Sequence, residues 1–323
     1  MWSTRRYILS AAVALAISAA GNVKVSASDM PLHVTATTGM IADAARQVGK
    51  KQAVVKGLMG PGVDPHAYRQ TRTDILTLAR ADLVLWHGLY LEAQMEGFFR
   101  DLAKDRFVLA VGEAVPTDML IAHDDYENKY DPHVWMDPER WTYVVRAIRD
   151  AMINRAPEFS TEMTASAGRH LLDINALAAY AKEVLATVPE GQRVLVTAHD
   201  AFNYFGDAYG FEVIGIQGIS TESEAGLNRI AELVDLLVTR KIRAVFVESS
   251  VSDRNIRALI EGAAARGHEV TIGGQLYSDA MGEPGTYEGT YIGMIDHNVT
   301  TITRALGGEA PAGGMNGRLN QGG

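Results

Sequence analysis

Apolar runs of strand length alternate with amphipathic runs of helix length twice along this chain, and that alternation leaves few folds open. In the first half, residues 32–38, 53–59, 82–86 and 106–111 read as strands. Residues 40–48, 73–80 and 91–103 read as helices between or after them. In the second half, 193–197, 211–216, 243–247 and 269–272 read as strands, with helices at 227–239 and 253–266. Strands alternating with helices predict parallel sheets covered on both faces. Between the halves, residues 157–188 lack a strand signal and are rich in Ala, Leu and Glu. They read as one long helix, stopped by Pro189-Glu190-Gly191. The expected fold class is α/β: two doubly wound α/β lobes with parallel sheets, joined by one long rigid helix. The expected domains are an N-terminal lobe at 28–157, a linking backbone helix at 158–190 and a C-terminal lobe at 191–306. The tail at 307–323 is rich in Gly, Asn and Ala and is expected to be disordered.

The formal net charge of -9, with no basic stripe, argues against nucleic acid as a partner. The first 27 residues have the composition of an export signal. Arg5 and Arg6 give a positive start, an apolar stretch runs from Tyr7 to Ala20, and Val25-Ser26-Ala27 offers a small-residue cleavage site. Thr4-Arg5-Arg6-Tyr7-Ile8-Leu9 also fits a twin-arginine motif, and the export route stays open. The chain contains no cysteine, so the sequence offers no disulfide framework, no thiolate metal site and no residue for a bacterial lipid anchor. These features together point to a protein free in a bacterial periplasm.

Three histidines and one aspartate stand out by position. His66 lies in Asp64-Pro65-His66-Ala67-Tyr68. His133 lies in Asp131-Pro132-His133-Val134-Trp135-Met136-Asp137-Pro138. His199 lies in Ala198-His199-Asp200-Ala201-Phe202, and Asp279 in Leu276-Tyr277-Ser278-Asp279-Ala280. His199 directly follows a strand, and His66 and Asp279 lie in loops a few residues beyond one, where open α/β sheets bind ligands. Three imidazoles and a carboxylate suit a divalent transition metal, held in the cleft by two residues from each lobe. Taken singly, each histidine has a structural reading as well, and Asp279 can be a helix cap. Asp64, Asp131 and Asp200 can hold a ligand ring or simply shape turns. Glu222, Glu224 and Glu248 read as loop residues or as supports behind the ligands. His33, His87, His123, His170, His268 and His297 have no comparable setting, and His87 reads as a strand-end residue. The loop 122–130 has one histidine and several acids and reads as a solvated acidic loop.

These motifs, with Gly218-Ile219-Ser220-Thr221-Glu222-Ser223-Glu224-Ala225 between them, resemble the zinc- and manganese-binding periplasmic solute-binding proteins of metal ABC transporters, and most of all the TroA type. The likeness runs in order from Leu32 to Leu306. It implies metal ligands at His66, His133, His199 and Asp279, and capture of a zinc or manganese ion for delivery to a membrane permease with its own ATPase. It also implies a monomer that is not an enzyme. Manganese-dedicated relatives commonly place a glutamate where this chain has His199, so three nitrogens lean towards zinc, with manganese next and iron behind. The alternative is a periplasmic zinc-dependent hydrolase. Against it, the sequence has no His-Glu-x-x-His and no Gly-x-Ser-x-Gly.

Overall fold

The structure is a computed structural model in which residues 30–123 and 126–319 are described. The export signal, Asp124 and Asp125 of the acidic loop, and the last four residues lie outside the described residues. Among the described residues, no helix is long and apolar enough to cross a membrane.

The first lobe opens with β1 (Leu32–Ala36), α1 (Gly39–Gly49), β2 (Ala53–Gly57), α2 (Arg72–Arg80) and β3 (Leu83–Trp86). It continues with α3 (Glu96–Leu102), β4 (Val108–Ala110) and α4 (Pro138–Arg155). Its strands form one parallel sheet in the order β2-β1-β3-β4, with Leu32 opposite Ala53 and Val34 opposite Leu83. The order reverses between β1 and β3, and that switch opens a crevice beyond their carboxyl ends. The second lobe contains β5 (Val194–Thr197), α6 (Asn203–Tyr209), β6 (Glu212–Gly215), α7 (Leu227–Arg240), β7 (Ala244–Glu248), α8 (Arg254–Ala265), β8 (Thr271–Leu276) and α9 (Tyr291–Ala305). Its pairs β5-β6 and β7-β8 are parallel, and β5 lies beside β7.

The halves are joined by α5 (Ser160–Leu185), 26 residues long and so about 39 Å from end to end. Its residues Met163, Ala167, Ile174, Leu177, Ala181 and Leu185 are buried. They belong to a core that also contains Val34 and Leu83 of the first lobe and Phe246 and Met294 of the second. Two smaller cores cover the outer faces: one beneath α2 and α3 around Leu78, Trp86 and Phe99, the other beneath α7 and α8 around Leu237, Val245 and Leu259. The linking helix is therefore packed into both lobes at once.

Three departures from the sequence expectation have physical causes. First, α4 was absent from it. The helix starts where Asp137 accepts the Glu139 N–H at 2.9 Å with Pro138 at the first helical position, and it buries Trp141, Val144, Val145, Ile148 and Met152. Second, β8 was expected to end at Ile272, before a glycine pair that ordinarily weakens a strand. It runs on to Leu276 because β8 packs closely on its neighbours. A Cβ on Gly273 would lie 2.8 Å from the Phe246 ring, and Gly274 has φ +155° beside Thr301. Third, residues 307–319, expected to be disordered, fold back as a strap. The Met315 N–H donates to the buried Asp296 carboxylate at 2.9 Å, Asn316 donates to Tyr287 Oη at 2.8 Å, and Leu319 is buried. Buried hydrogen-bond partners on α9 overcome the composition of the segment.

Candidate metal centre

Each of the four side chains singled out by the sequence is fixed by its own local device. The loop after β2 turns at Asp64, whose Oδ1 accepts the His66 N–H at 2.8 Å. His133 precedes a single helical turn, Val134–Met136. Its backbone N–H and its ring Nδ1 both reach Asp131 Oδ1, at 2.9 and 2.7 Å. His199 lies two residues beyond the end of β5 and repeats that pattern with a distant partner: its N–H donates to Glu248 Oε1 at 2.9 Å and its Nδ1 lies 2.5 Å from Glu248 Oε2. Asp279 follows β8. Asn298 of α9 clamps the backbone of Tyr277, accepting from its N–H at 2.9 Å and donating to its carbonyl at 2.7 Å. Trp135 of the first lobe donates its indole N–H to the Ser278 carbonyl at 2.8 Å.

These devices bring the four side chains together. One nitrogen from each ring and a carboxylate oxygen lie within 4.8 Å of one another, with all four residues buried. His66 Nε2 is 3.3 Å from His133 Nε2. The Asp279 oxygens are 3.3 Å from His133 Nε2, 3.2 Å from His199 Nε2 and 4.0 Å from His66 Nε2. A tetrahedral ion with bonds of about 2.0–2.1 Å sets its ligand atoms about 3.3 Å apart, so most of these edges have the length such a site requires. The short separations to Asp279 are not aligned as hydrogen bonds. Both Asp279 oxygens and His199 Nε2 are buried with no hydrogen-bond partner among the described residues. Buried polar atoms ordinarily find partners, and a cation at their centre would satisfy all of them.

The carboxylates also set tautomers and charge. A proton on Nδ1 of His133 and of His199 is held by Asp131 and Glu248, which leaves each Nε2 lone pair facing the cluster. Burial pulls His66 down to about 3, so it is neutral. Burial also pulls on His133, but Asp131 and Asp279 outweigh it and push the ring up to about 9. The same contest, with Glu248 and Asp279 prevailing, holds His199 well above its ordinary value. Asp279 is held well below the usual carboxylate range because His199 and His133 overcome its burial. A cluster with no cation therefore stores protons that an incoming ion must displace.

The supporting residues divide differently from the sequence reading. Asp131 and Asp64 both shape their turns, and Asp131 also holds a ring. Asp200 does not hold His199: burial and the charge of Asp131 push it up to about 6. Glu248, read from the sequence as a loop or supporting residue, is the group that holds His199. The remaining histidines stand outside the cluster. His87 directly follows β3, is buried, and meets the Trp135 ring edge-on at 5.0 Å. His268 and His297 reach the Ile242 and Gln275 carbonyls at 2.6 and 2.9 Å. His123 packs its ring on Tyr126, and His170 is buried on α5. Glu222, read from the sequence as a loop residue or a support behind the ligands, accepts from Gln94 Nε2 at 2.5 Å.

Residues 34–305 match the periplasmic zinc-uptake complex component A family, ZnuA. The chain is 49% identical over 279 residues to the manganese-binding lipoprotein MntA of Bacillus subtilis, covering 86% of this chain and 91% of that protein. It is 45% identical over 286 residues to the zinc-binding protein TroA of Treponema pallidum, covering 88% and 92%. It is 33% identical over 275 residues to the iron-binding protein YfeA of Yersinia pestis, covering 85% and 86%. The solved structure of the periplasmic zinc-binding protein TroA from Treponema pallidum superposes with a TM-score of 0.83 at 44% identity, covering 85% of this chain and 99% of that one. The two-lobed parallel α/β fold is thus shared with a solved relative. With a match that spans both lobes and all four converging side chains, the chain belongs to the zinc-uptake complex component A family.

Proposed function

We propose that this protein captures one divalent transition-metal ion, zinc or manganese, between its lobes and delivers it to the membrane permease of an ABC transporter. His66, His133 and His199 bind through Nε2, and Asp279 through its carboxylate. The observation that carries this reading is the group of four buried side chains, two from each lobe, whose ligand atoms lie at separations suited to one ion, with His199 Nε2 and both Asp279 oxygens left unpartnered among the described residues. The ion is cargo. In a titration of chelator-stripped protein, uptake of one zinc or manganese ion per chain is expected in wild type, with a large loss of affinity in His199→Ala. Absence of stoichiometric uptake would end this reading.

Three imidazoles favour zinc over manganese, and the Irving–Williams order leans the same way. Asp279 offers two free oxygens and so admits the higher coordination that manganese accepts. The relatives bear the names of manganese, zinc and iron, so competition between zinc and manganese for the stripped protein decides the metal. A hydrolytic zinc needs an open position for water beside three protein ligands. Four protein ligands fill the tetrahedron here, and Glu248, the buried carboxylate nearest His199, is occupied by that ring, which supports a carrier rather than an enzyme. The family description places its members in the periplasm, and the leading residues have the composition of an export signal. The Bacillus subtilis relative is named a lipoprotein. This sequence contains no cysteine, the residue to which a bacterial lipid anchor is joined, which supports a protein free in the periplasm. The acidic charge supports a protein with no nucleic-acid partner, acting as a monomer.

A further inference from the structure

The four ligand positions are not secured equally. His133 and His199 are each held at backbone and ring by a buried carboxylate, Asp131 and Glu248. Asp279 is flanked by backbone clamped through Asn298 and Trp135. His66 has, among the described residues, no carboxylate within ion-pair distance of its Nδ1, and its closest approach to one is Nε2 to Asp279 at 4.0 Å. Its fixed point is its own N–H on Asp64 Oδ1. The other oxygen of Asp64 accepts from Thr221 Oγ1 at 2.5 Å, 157 positions along the chain and in the other lobe.

Thr221 lies in the irregular segment 216–226 between β6 and α7. The next residue, Glu222, accepts from Gln94 of the first lobe. On its other side the His66 loop abuts the second lobe at Gly62, where φ is +68° and a Cβ would lie 3.3 Å from the Ser249 carbonyl oxygen. The loop that presents His66 is thus gripped by the second lobe, and among the described residues its one side-chain hydrogen bond across the cleft passes through Asp64.

We propose that Thr221 is a positioning residue for His66, and that its hydrogen bond to Asp64 sets how long the bound ion is held. This inference rests on the metal-capture reading above. An ion leaves a multidentate site one ligand at a time, and the first to go is the one with the fewest restraints. When the Thr221 hydroxyl lets go, the Asp64 turn keeps only the packing of Gly62 against the second lobe, and His66 can withdraw while the other three ligands stay in place.

The test is timed transfer of zinc from loaded protein to an excess of fluorescent chelator. Thr221→Val replaces only the hydroxyl by a methyl group at a half-buried loop position. It is expected to speed release about tenfold, the order expected for one lost hydrogen bond to a charged group, with one ion still bound per chain and only a small fall in the melting temperature of the stripped protein, which loses the same bond. Thr221→Ser is expected to restore wild-type release. Release at the wild-type rate from Thr221→Val overturns the proposal, as does equal acceleration in Thr221→Ser. A shift in the melting temperature of the stripped protein with no change in release also overturns it, because that is the mark of a purely structural contact. Failure of wild type to load zinc is seen before any release is timed, and it removes the capture reading together with this one.

Discussion

Asp131 and Glu248 solve the same problem in opposite lobes. Each uses one carboxylate to catch both the amide and the ring of a histidine, which fixes the tautomer and turns Nε2 towards the other converging side chains. Removing the negative charge while keeping the shape isolates that role. Glu248→Gln is expected to lower metal affinity roughly 10–100-fold, measured by chelator competition. His133→Ala is expected to cost far more than His170→Ala, since His170 faces no other ligand; equal losses would undo the assignment. The four converging side chains were legible in the sequence because each sits in a long motif. Glu248 as the partner of His199 was not, because the pairing depends on β5 lying beside β7, 49 positions away. Asp200, adjacent in sequence to His199, was the more visible choice, and spatial neighbours displaced it.

At the level of elements, the strands and the long helix were readable because their apolar runs and stop signals are local. The features that were missed depend on tertiary partners. The strap 307–319 has a disordered composition, yet Asp296 offers it a buried carboxylate on α9. Deleting residues 308–319 is expected to destabilise the stripped protein by about 2–4 kcal/mol, in keeping with the cost of leaving buried polar groups unsatisfied, with metal affinity unchanged. Urea denaturation and chelator competition measure the two effects. Leu177 on α5 is fully buried in the core shared by both lobes. Leu177→Ala is expected to cost roughly 2–5 kcal/mol in a single unfolding transition, because the largest of the three cores is shared by both lobes through α5.

For the whole molecule, ion and proton compete for the same atoms. His133, pushed up to about 9, and His199 stabilise the stripped fold fully below the ordinary histidine value of 6.5 and progressively less as pH rises towards 9. His66, pulled down to about 3, acts in the opposite sense: its contribution is lost as pH falls below 6.5. The cluster's support of the stripped protein is therefore greatest near pH 6.5 and declines on both sides. Metal affinity instead climbs steadily through this range as protons leave. The rise in melting temperature caused by zinc is expected to grow between pH 6.5 and 9, as a thermal scan with and without the ion would register.

The unbroken run of α5 has a last implication. A messenger built around a stiff spine has little liberty to advertise its freight by altering its silhouette. A permease of the kind proposed above is therefore expected to sort full from empty at the lips of the crevice, where segments 60–68 and 216–226 meet.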